Sequence, residues 1–206
     1  MTMARVPADE RRLEFIEAAV TVIAENGMKG ATTRRIAEAA HAPLASLHYR
    51  FHTKEDLFIA VFEFMSTSMV EAQVDVVPIQ DDLRTTAVNL MEAVVGWSLA
   101  NPNYTKVQFD LALWASREEG LGARVYAVFF DAFTDVLAGS LPGGTDRAAV
   151  VPVARQIIAV LDGLSLQWVS DRDDDRFRAD AARACDMVST YIASLGLLSS
   201  SVASAS

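Results

Sequence analysis

The sequence predicts an all-α protein of about nine helices, in which a small three-helix head precedes a larger helical body. Apolar residues recur at the three- and four-residue spacing of helices through most of the 206 residues, and no convincing alternating strand pattern interrupts them. Two short helical segments joined by a tight connection lie between Thr32 and Leu57. That arrangement is typical of a helix-turn-helix, whose second helix enters the major groove of DNA.

The first helix is expected at about residues 9–25 and serves as scaffold. Its apolar stripe consists of Leu13, Ile16, Val20 and Ile23. We expect the helix to end at Asn26 and Gly27, because glycine readily adopts the left-handed conformation that closes a helix.

The two short helices come next. Thr32 or Thr33 can cap the first of them, since a threonine hydroxyl accepts a hydrogen bond from an unpaired backbone N–H. Pro43 ends that helix and suits the first turn of the second one, which is expected at residues 44–51. The apolar side of the second short helix consists of Leu44, Leu47 and Phe51.

A longer helix then connects head and body. Thr53 and Asp56 form a variant of the capping box at its start, and we expect it to stop near Pro78. Five more helical segments follow, at about residues 82–100, 103–117, 121–140, 146–170 and 174–197. Pro152 either marks the true start of the fourth of these or kinks it. The predicted domains are a helix-turn-helix head at residues 1–56, a larger helical body at 57–198, and a disordered Ser-rich tail at 199–206.

The charges are distributed unevenly along the chain. The formal net charge is −9, all of it in residues 57–206, while residues 1–56 are neutral. Between Asn26 and Thr53 four basic residues face one acidic residue, and all three histidines of the chain lie there too. A local basic patch on an acidic protein indicates phosphate binding. The acidic body would repel DNA, so we expect only the head to approach it.

Other functional classes find little support in the composition. Cys185 is the single cysteine, which we expect to act as a small buried hydrophobe. No uncharged apolar run of 18 residues and no signal-peptide pattern is present, so a cytoplasmic protein without a membrane span is expected. No nucleophile motif, phosphate loop or Cys/His cluster indicates an enzyme, a cofactor or a metal. The acidic run at residues 171–175 lacks the Gly and Glu of an EF-hand and is interpreted as a solvated turn with a helix cap.

The run A-S-L-H-Y-R-F-H-T-K-E-D-L, together with E-F-I-E-A-A-V-T-V-I-A-E-N-G-M-K-G-A-T-T-R-R-I-A upstream, resembles the signature of the tetracycline-repressor (TetR) family of bacterial transcription regulators. The resemblance covers about the first 60 residues. His41 and Pro43 stand where that family usually has Gly and Ser. Ala45 replaces a frequent Gly, and His48 replaces a common Tyr.

The resemblance implies a ligand-responsive transcriptional regulator, most often a repressor, which binds a near-palindromic operator as a homodimer. A small, largely apolar effector would release it from double-stranded DNA. The alternative is a helical DNA-binding or interaction protein without small-molecule regulation. Position in the motif assigns base-edge contact to Pro43, Leu44, Ser46 and His48, with Ala45 allowing close approach. It assigns phosphate contact to Thr33, Arg34, Tyr49 and Lys54.

Aromatic residues are frequent in the middle helices of the body. They can line an apolar ligand pocket or simply fill the core, and for any single ring the core is the better interpretation. The resemblance implies that some cavity exists. The candidate ligand-binding residues are Trp97, Phe109, Trp114, Phe129, Phe133, Gln167 and Trp168.

The last two helices both carry wide apolar stripes. Those stripes can be used inside one subunit or in a four-helix interface with a second copy, and the periodicity does not decide between the two. The resemblance favours the homodimer, because the family pairs through its last two long helices. The candidate interface residues are Ile157, Leu161, Leu164, Ala181, Ala184 and Val188.

Overall fold

The computed structural model describes residues 8–74, 77, 82–117, 119–141 and 147–196. These residues form nine α-helices and no strand, which confirms the predicted fold class. The helices are α1 (Ala8–Gly30), α2 (Thr33–Ala39), α3 (Leu44–Arg50), α4 (Lys54–Val74), α5 (Leu83–Ala100), α6 (Pro102–Ala115), α7 (Leu121–Gly139), α8 (Arg147–Asp171) and α9 (Asp174–Ser194). The expected stop of α4 near Pro78 and the Ser-rich tail at residues 199–206 lie outside the described residues.

Short polar side chains define where several helices begin. Thr32 caps α2 by accepting a hydrogen bond from the backbone N–H three residues on, at 3.3 Å. The predicted capping box of α4 is present, because Thr53 and Asp56 each accept from the other's backbone N–H at 3.0 Å. The Asp82 and Asp173 carboxylates cap α5 and α9 by accepting hydrogen bonds from backbone N–H groups of the first turn.

Two boundaries differ from the simplest expectation. The helical geometry of α1 breaks at Gly27 (φ 66°, ψ 173°), but the chain resumes a helical turn and α1 ends only at Gly30. That backbone region is accessible essentially to glycine alone. The other helix, α8, begins at Arg147, so Pro152 lies inside it and does not mark its start.

The chain divides into two compact units. Unit 1 comprises Met1–Ser66 and Asn103–Val125, and unit 2 comprises Thr67–Pro102 and Tyr126–Ser206. The predicted head at residues 1–56 therefore lies in unit 1, together with residues 57–66 and 103–125 of the predicted body. In unit 2, α9 packs along both α5 and α8.

The turn between α8 and α9 is fixed by aromatic packing. The Trp168 ring stacks on Phe177 with 5.1 Å between centroids, and its indole N–H donates to the Asp174 carboxylate at 2.7 Å. The Arg172 guanidinium lies 4.8 Å from the Trp168 ring centroid.

Cys185 on α9 is buried as predicted. Burial raises the pKa of its thiol, which keeps it protonated.

Among the described helices, α8 is long and apolar enough to cross a membrane by length and composition. Its most apolar window has a mean hydropathy of 1.6, and 39% of that window is buried. The core helix of a soluble protein passes the same test, and α8 packs against α5 and α9 within unit 2. The test alone therefore gives only weak support for a membrane segment.

Candidate nucleic-acid interface and ligand cavity

The turn between α2 and α3 holds a non-glycine residue in the left-handed region. His41 has φ 49°, and its backbone N–H donates to the Glu38 carbonyl at 3.1 Å. The next residue, Ala42, donates to the Ala37 carbonyl at 3.0 Å. A side chain in this conformation is strained, so the position suits glycine better than histidine. The expected family glycine and the observed backbone therefore agree.

Helix α3 is held by one buried residue and presents the rest of its length outward. Leu47 is completely buried, as is Ile36 from α2, and the two helices pack against each other. The residues predicted to contact base edges occupy the N-terminal cap and outer surface of α3. Of these, Pro43, Leu44 and His48 are exposed and Ser46 is half-buried. Ala45, which was predicted to allow close approach, is exposed as well. This is the arrangement that allows a recognition helix to enter a major groove.

The predicted phosphate contacts flank α3. Tyr49 is 77% exposed, with the Arg50 guanidinium 5.3 Å from its ring centroid. Arg34 is exposed and pairs with Glu38 at 3.0 Å, while Thr33 is half-buried at the first position of α2. An exposed pair of this kind contributes little to stability, so the Arg34 guanidinium can exchange its partner for a phosphate.

Lys54 is less free than its position in the sequence suggests. Its ammonium lies 4.8 Å from the Phe58 ring centroid and 3.5 Å from the Met28 carbonyl oxygen. The cation–π contact is favourable, but the hydrogen bond is long and weak. Arg35, in contrast, donates to the Gly30 carbonyl at 3.0 Å and joins the end of α1 to α2.

A cavity of about 710 Å³ in unit 2 contains one of the predicted ligand-binding residues. Trp97 lines it together with Asn89 and Glu92 from the same helix, α5. Its remaining lining residues are Ala72, Val77, Ala93 and Gly96. The walls are thus mostly apolar, with one aromatic ring, one amide and one carboxylate.

The other six candidates are not gathered at this cavity. Phe109 and Trp114 belong to unit 1, where the Trp114 and Phe58 rings meet edge to face at 5.4 Å. In unit 2, Phe129 and Phe133 are buried, Gln167 is exposed, and Trp168 is buried against Phe177. The dispersal reflects the usual role of aromatic rings as core residues, which the sequence alone left open.

A half-buried polar pair joins α7 to α8 in unit 2. The Tyr126 hydroxyl donates to the Asp162 carboxylate at 3.0 Å. Burial raises the pKa of the Asp162 carboxyl, and the hydrogen bond from Tyr126 opposes that shift. Burial and the adjacent carboxylate together raise the pKa of Tyr126 to about 12. The pair therefore consists of a neutral phenol and a carboxyl that is costly to ionise.

The predicted dimer residues lie mainly in the core of one subunit. Ile157, Leu161, Ala181, Ala184 and Val188 are buried within the chain, and Leu164 is half-buried. A side chain already buried inside one subunit has no surface left for a partner. The five buried residues pack α8 against α9 and their neighbours in unit 2. Their assignment to a dimer interface stays a prediction, and their burial within one subunit counts against it.

The opposite faces of α8 and α9 carry exposed apolar residues. Leu166 is 51% exposed and Met187 is 64% exposed. Gly163 and Ala159 lie one and two turns before Leu166 on the same exposed face of α8. Their small size would let another helix approach closely.

The fold and the exposed helix α3 define a helix-turn-helix DNA-binding regulator with a helical body. Residues 15–61 match the family of bacterial regulatory proteins named tetR, and residues 84–197 match the C-terminal domain of BetI-type transcriptional repressors. The second match alone covers more than half of the chain. The chain belongs to the TetR family, and the predicted class of ligand-responsive, DNA-binding repressor is confirmed.

Similar proteins cover nearly the whole chain. The nicotine-responsive transcriptional repressor HdnoR of Paenarthrobacter nicotinovorans is 29% identical over 197 residues, which span 94% of this chain and 100% of HdnoR. The structure of the TetR-family member SCO1917 from Streptomyces coelicolor A3 has a TM-score of 0.67 at 27% identity, covering 85% of this chain and 98% of SCO1917. The multidrug binding protein EbrR in complex with ethidium has a TM-score of 0.65 at 26% identity, covering 86% and 99%. Regulators of this kind are not enzymes.

Proposed function

We propose that the protein represses transcription as a cytoplasmic homodimer that binds a near-palindromic operator and leaves it when a small, largely apolar effector binds the body. The outward surface of α3 is the observation that supports this proposal most directly. Buried Leu47 anchors the helix, while His48 and Tyr49 remain exposed beside it. The head at residues 1–56 and the body at residues 57–198 would divide the two tasks.

The proposed division of labour follows from the chemistry of DNA. Pro43, Leu44, Ser46 and His48 reach base edges, and Ala45 keeps the helix surface low enough for close approach. The proposed phosphate contacts are Thr33, Arg34, Tyr49 and Lys54. Phosphate contacts fix the position of the head but carry no sequence information, whereas base contacts select the operator.

A second copy would pack on the outward faces of α8 and α9. The exposed Leu166 and Met187, with the small residues Ala159 and Gly163, provide a surface that two antiparallel helix pairs can share. A twofold dimer places two recognition helices about one DNA turn apart, ~34–36 Å, which matches two half-sites.

The cavity beside Trp97 is the proposed effector site. Its ring offers an apolar surface, and Asn89 and Glu92 supply polar groups that can orient a ligand. A nicotine-responsive relative and an ethidium-bound neighbour favour an aromatic effector. The effector can release the repressor only if it binds the released state more tightly than the DNA-bound state.

DNA binding by the purified protein tests the proposal. The DNA that flanks its own gene is titrated with protein at several salt concentrations, and the stoichiometry is read at saturation. We expect tight, salt-sensitive binding of two or four chains to one near-palindromic site. Binding that no aromatic compound relieves would favour the alternative, a DNA-binding protein without small-molecule control. A folded dimer that binds no DNA at low salt would contradict the repressor proposal.

A further inference from the structure

Unit 1 contains a second cleft, of about 550 Å³, which we call the head cleft. Its walls come from the end of α1, the first turns of α4, and the end of α6 with the residues that follow it. The start of α4 directly follows the recognition helix α3 in the chain. Any molecule in the head cleft would therefore lie against the helix that follows α3 in the chain.

The apolar part of the head cleft consists of two rings and an exposed leucine. Phe58 is almost completely buried, and the edge of Trp114 meets it at 5.4 Å with an angle of 84° between the rings. Leu113 lines the same cleft but is 62% exposed. A flat ring that covered Leu113 and Trp114 would remove this apolar surface from water.

Positive charge exceeds negative charge around these rings. Lys29, Lys54 and Arg117 line the head cleft, against Glu55 and Asp110. Among the residues that the structure describes, neither Lys29 nor Arg117 forms an ion pair. The described contacts of the Lys54 ammonium are its ring contact and one long hydrogen bond. Three cations are thus available to an anion without breaking a strong interaction.

The acidic residues are less suited to hold a cation. Asp110 is half-buried, and burial raises the pKa of its carboxyl, with the charge of Lys106 opposing the shift. The Lys106 ammonium donates to the Ala24 carbonyl at 2.6 Å, so it is already fixed within unit 1. Glu55 is exposed in the first turn of α4, where the helix dipole already stabilises its charge.

We propose that the head cleft binds a flat aromatic carboxylate. Its ring lies against Trp114 and Leu113, and its carboxylate faces Lys54 and Arg117. Charge-assisted hydrogen bonds to ammonium and guanidinium groups are the strongest contacts that such a ligand can make. This site is separate from the cavity beside Trp97, and its existence does not depend on the proposed effector site.

A consequence for DNA binding follows, and this step rests on the proposed function. Lys54 is also a proposed phosphate contact, so a ligand carboxylate and a DNA phosphate would compete for one ammonium group. Competition is reciprocal, which means that operator DNA weakens ligand binding by the same factor as the ligand weakens DNA binding. A ligand bound in the head cleft would then lower the affinity for DNA by occupying Lys54.

The first test uses the full-length protein without DNA, so that its outcome is independent of the proposed function. Naphthoate serves as the aromatic carboxylate and naphthylmethylamine as its charge-reversed counterpart, each measured by isothermal titration calorimetry. We expect one naphthoate per chain and binding of the amine at least about tenfold weaker, as one charge-assisted contact implies. Equal or tighter binding of the amine, or no naphthoate binding, would overturn the proposal.

Matched variants locate the site. Arg117→Gln should weaken naphthoate binding by about tenfold, whereas Arg84→Gln, an exposed arginine in unit 2, should leave it unchanged. Leu113→Glu should abolish binding, since it adds a carboxylate at an exposed position, and circular dichroism checks that the variant is folded. Unchanged binding in both cleft variants would place the ligand elsewhere and refute the assignment.

Operator binding is measured afterwards and separately. If naphthoate raises the dissociation constant for DNA in the unaltered protein but not in Lys54→Gln, the competition for Lys54 is supported. A DNA affinity that naphthoate leaves unchanged would refute the competition but not the site. Failure to bind DNA at all would concern the proposed function alone, because the calorimetric result is obtained without DNA.

Discussion

Lys54 shows how far a residue's role can be derived from its position. The sequence places it at the start of α4, where a phosphate contact is expected, and the structure adds its contact with the Phe58 ring. Lys54→Ala should weaken binding to every DNA sequence and lower the slope of the logarithm of the binding constant against the logarithm of salt concentration by ~1, because one fewer counterion is released. Fluorescence anisotropy at several salt concentrations measures both quantities. An unaltered slope would show that Lys54 does not contact a DNA phosphate.

His48 lies on the exposed surface of α3, where a contact with a base edge is expected. We therefore expect its loss to alter sequence preference, in contrast to the uniform loss expected for Lys54. His48→Ala should change the order of preference among operator variants, with a discrimination loss of about 1–3 kcal/mol at one base pair. Competition binding with a set of single-base operator substitutions measures this. A uniform loss of affinity across the set would instead assign His48 to the phosphate contacts.

Asp162 should affect stability through pH. Because burial raises the pKa of its carboxyl above the usual value of 3.8, the folded protein binds this proton more tightly than the unfolded chain does. The stability that this protonated carboxyl contributes is fully present below pH 3.8. It is lost as the pH rises through the raised pKa of Asp162 in the folded protein. Asp162→Asn removes this loss and can still accept the hydrogen bond from Tyr126. The free energy of unfolding should therefore exceed that of the unaltered protein at pH 7, and the difference should shrink towards pH 3.8.

Urea titrations at pH 7 and at acidic pH compare the two proteins. Asp131→Asn is the matched control, since Asp131 is exposed on α7 and its only described partner is the exposed Arg147. A control that gained stability equally at pH 7 would trace the effect to the general negative charge of the protein.

At the scale of the elements, the turn between α2 and α3 is a site of backbone strain. His41 has φ 49°, a backbone conformation that costs a residue with a Cβ about 1–2 kcal/mol. Glycine avoids this strain, but it loses more conformational entropy on folding, which offsets part of the gain. His41→Gly should therefore raise the free energy of unfolding by about 0.5–1 kcal/mol. His41→Ala removes the imidazole but keeps the Cβ, so it should gain nothing. Chemical denaturation of the two variants distinguishes backbone relief from loss of the ring.

The helices were predictable because each of their signals is local. The pairing of Thr53 with Asp56 could be derived from a three-residue spacing, and Asp82 could be placed at the start of α5 in the same way. The extra turn of α1 after Gly27 could not, because glycine signals an interruption but does not say whether the helix resumes. Pro152 was ambiguous for a related reason, since its ring is compatible with the first turn of a helix as well as with a kink.

At the scale of the whole molecule, the exposure of α3 was predictable and the cavities were not. Exposure of α3 follows from one contiguous motif, whereas a pocket is assembled from residues far apart in the sequence. Arg117 and Lys54 line one cleft although 63 positions separate them, and no spacing rule connects them. The apolar stripe of α9 likewise identified its buried face correctly but could not say whether the buried partner was the same chain or a second one.

We therefore expect two copies of the chain to pair through the exposed faces of α8 and α9. Met187 is 64% exposed on α9, so Met187→Glu should fold normally yet separate the dimer, because a carboxylate buried between two subunits has no partner. Leu113→Glu is the control, since Leu113 is 62% exposed but lies in unit 1. Analytical ultracentrifugation should show one chain per particle for the first variant and two for the second. Operator affinity should fall for Met187→Glu as well, because a single head engages only one half-site. A dimeric Met187→Glu would show that the copies meet through another surface.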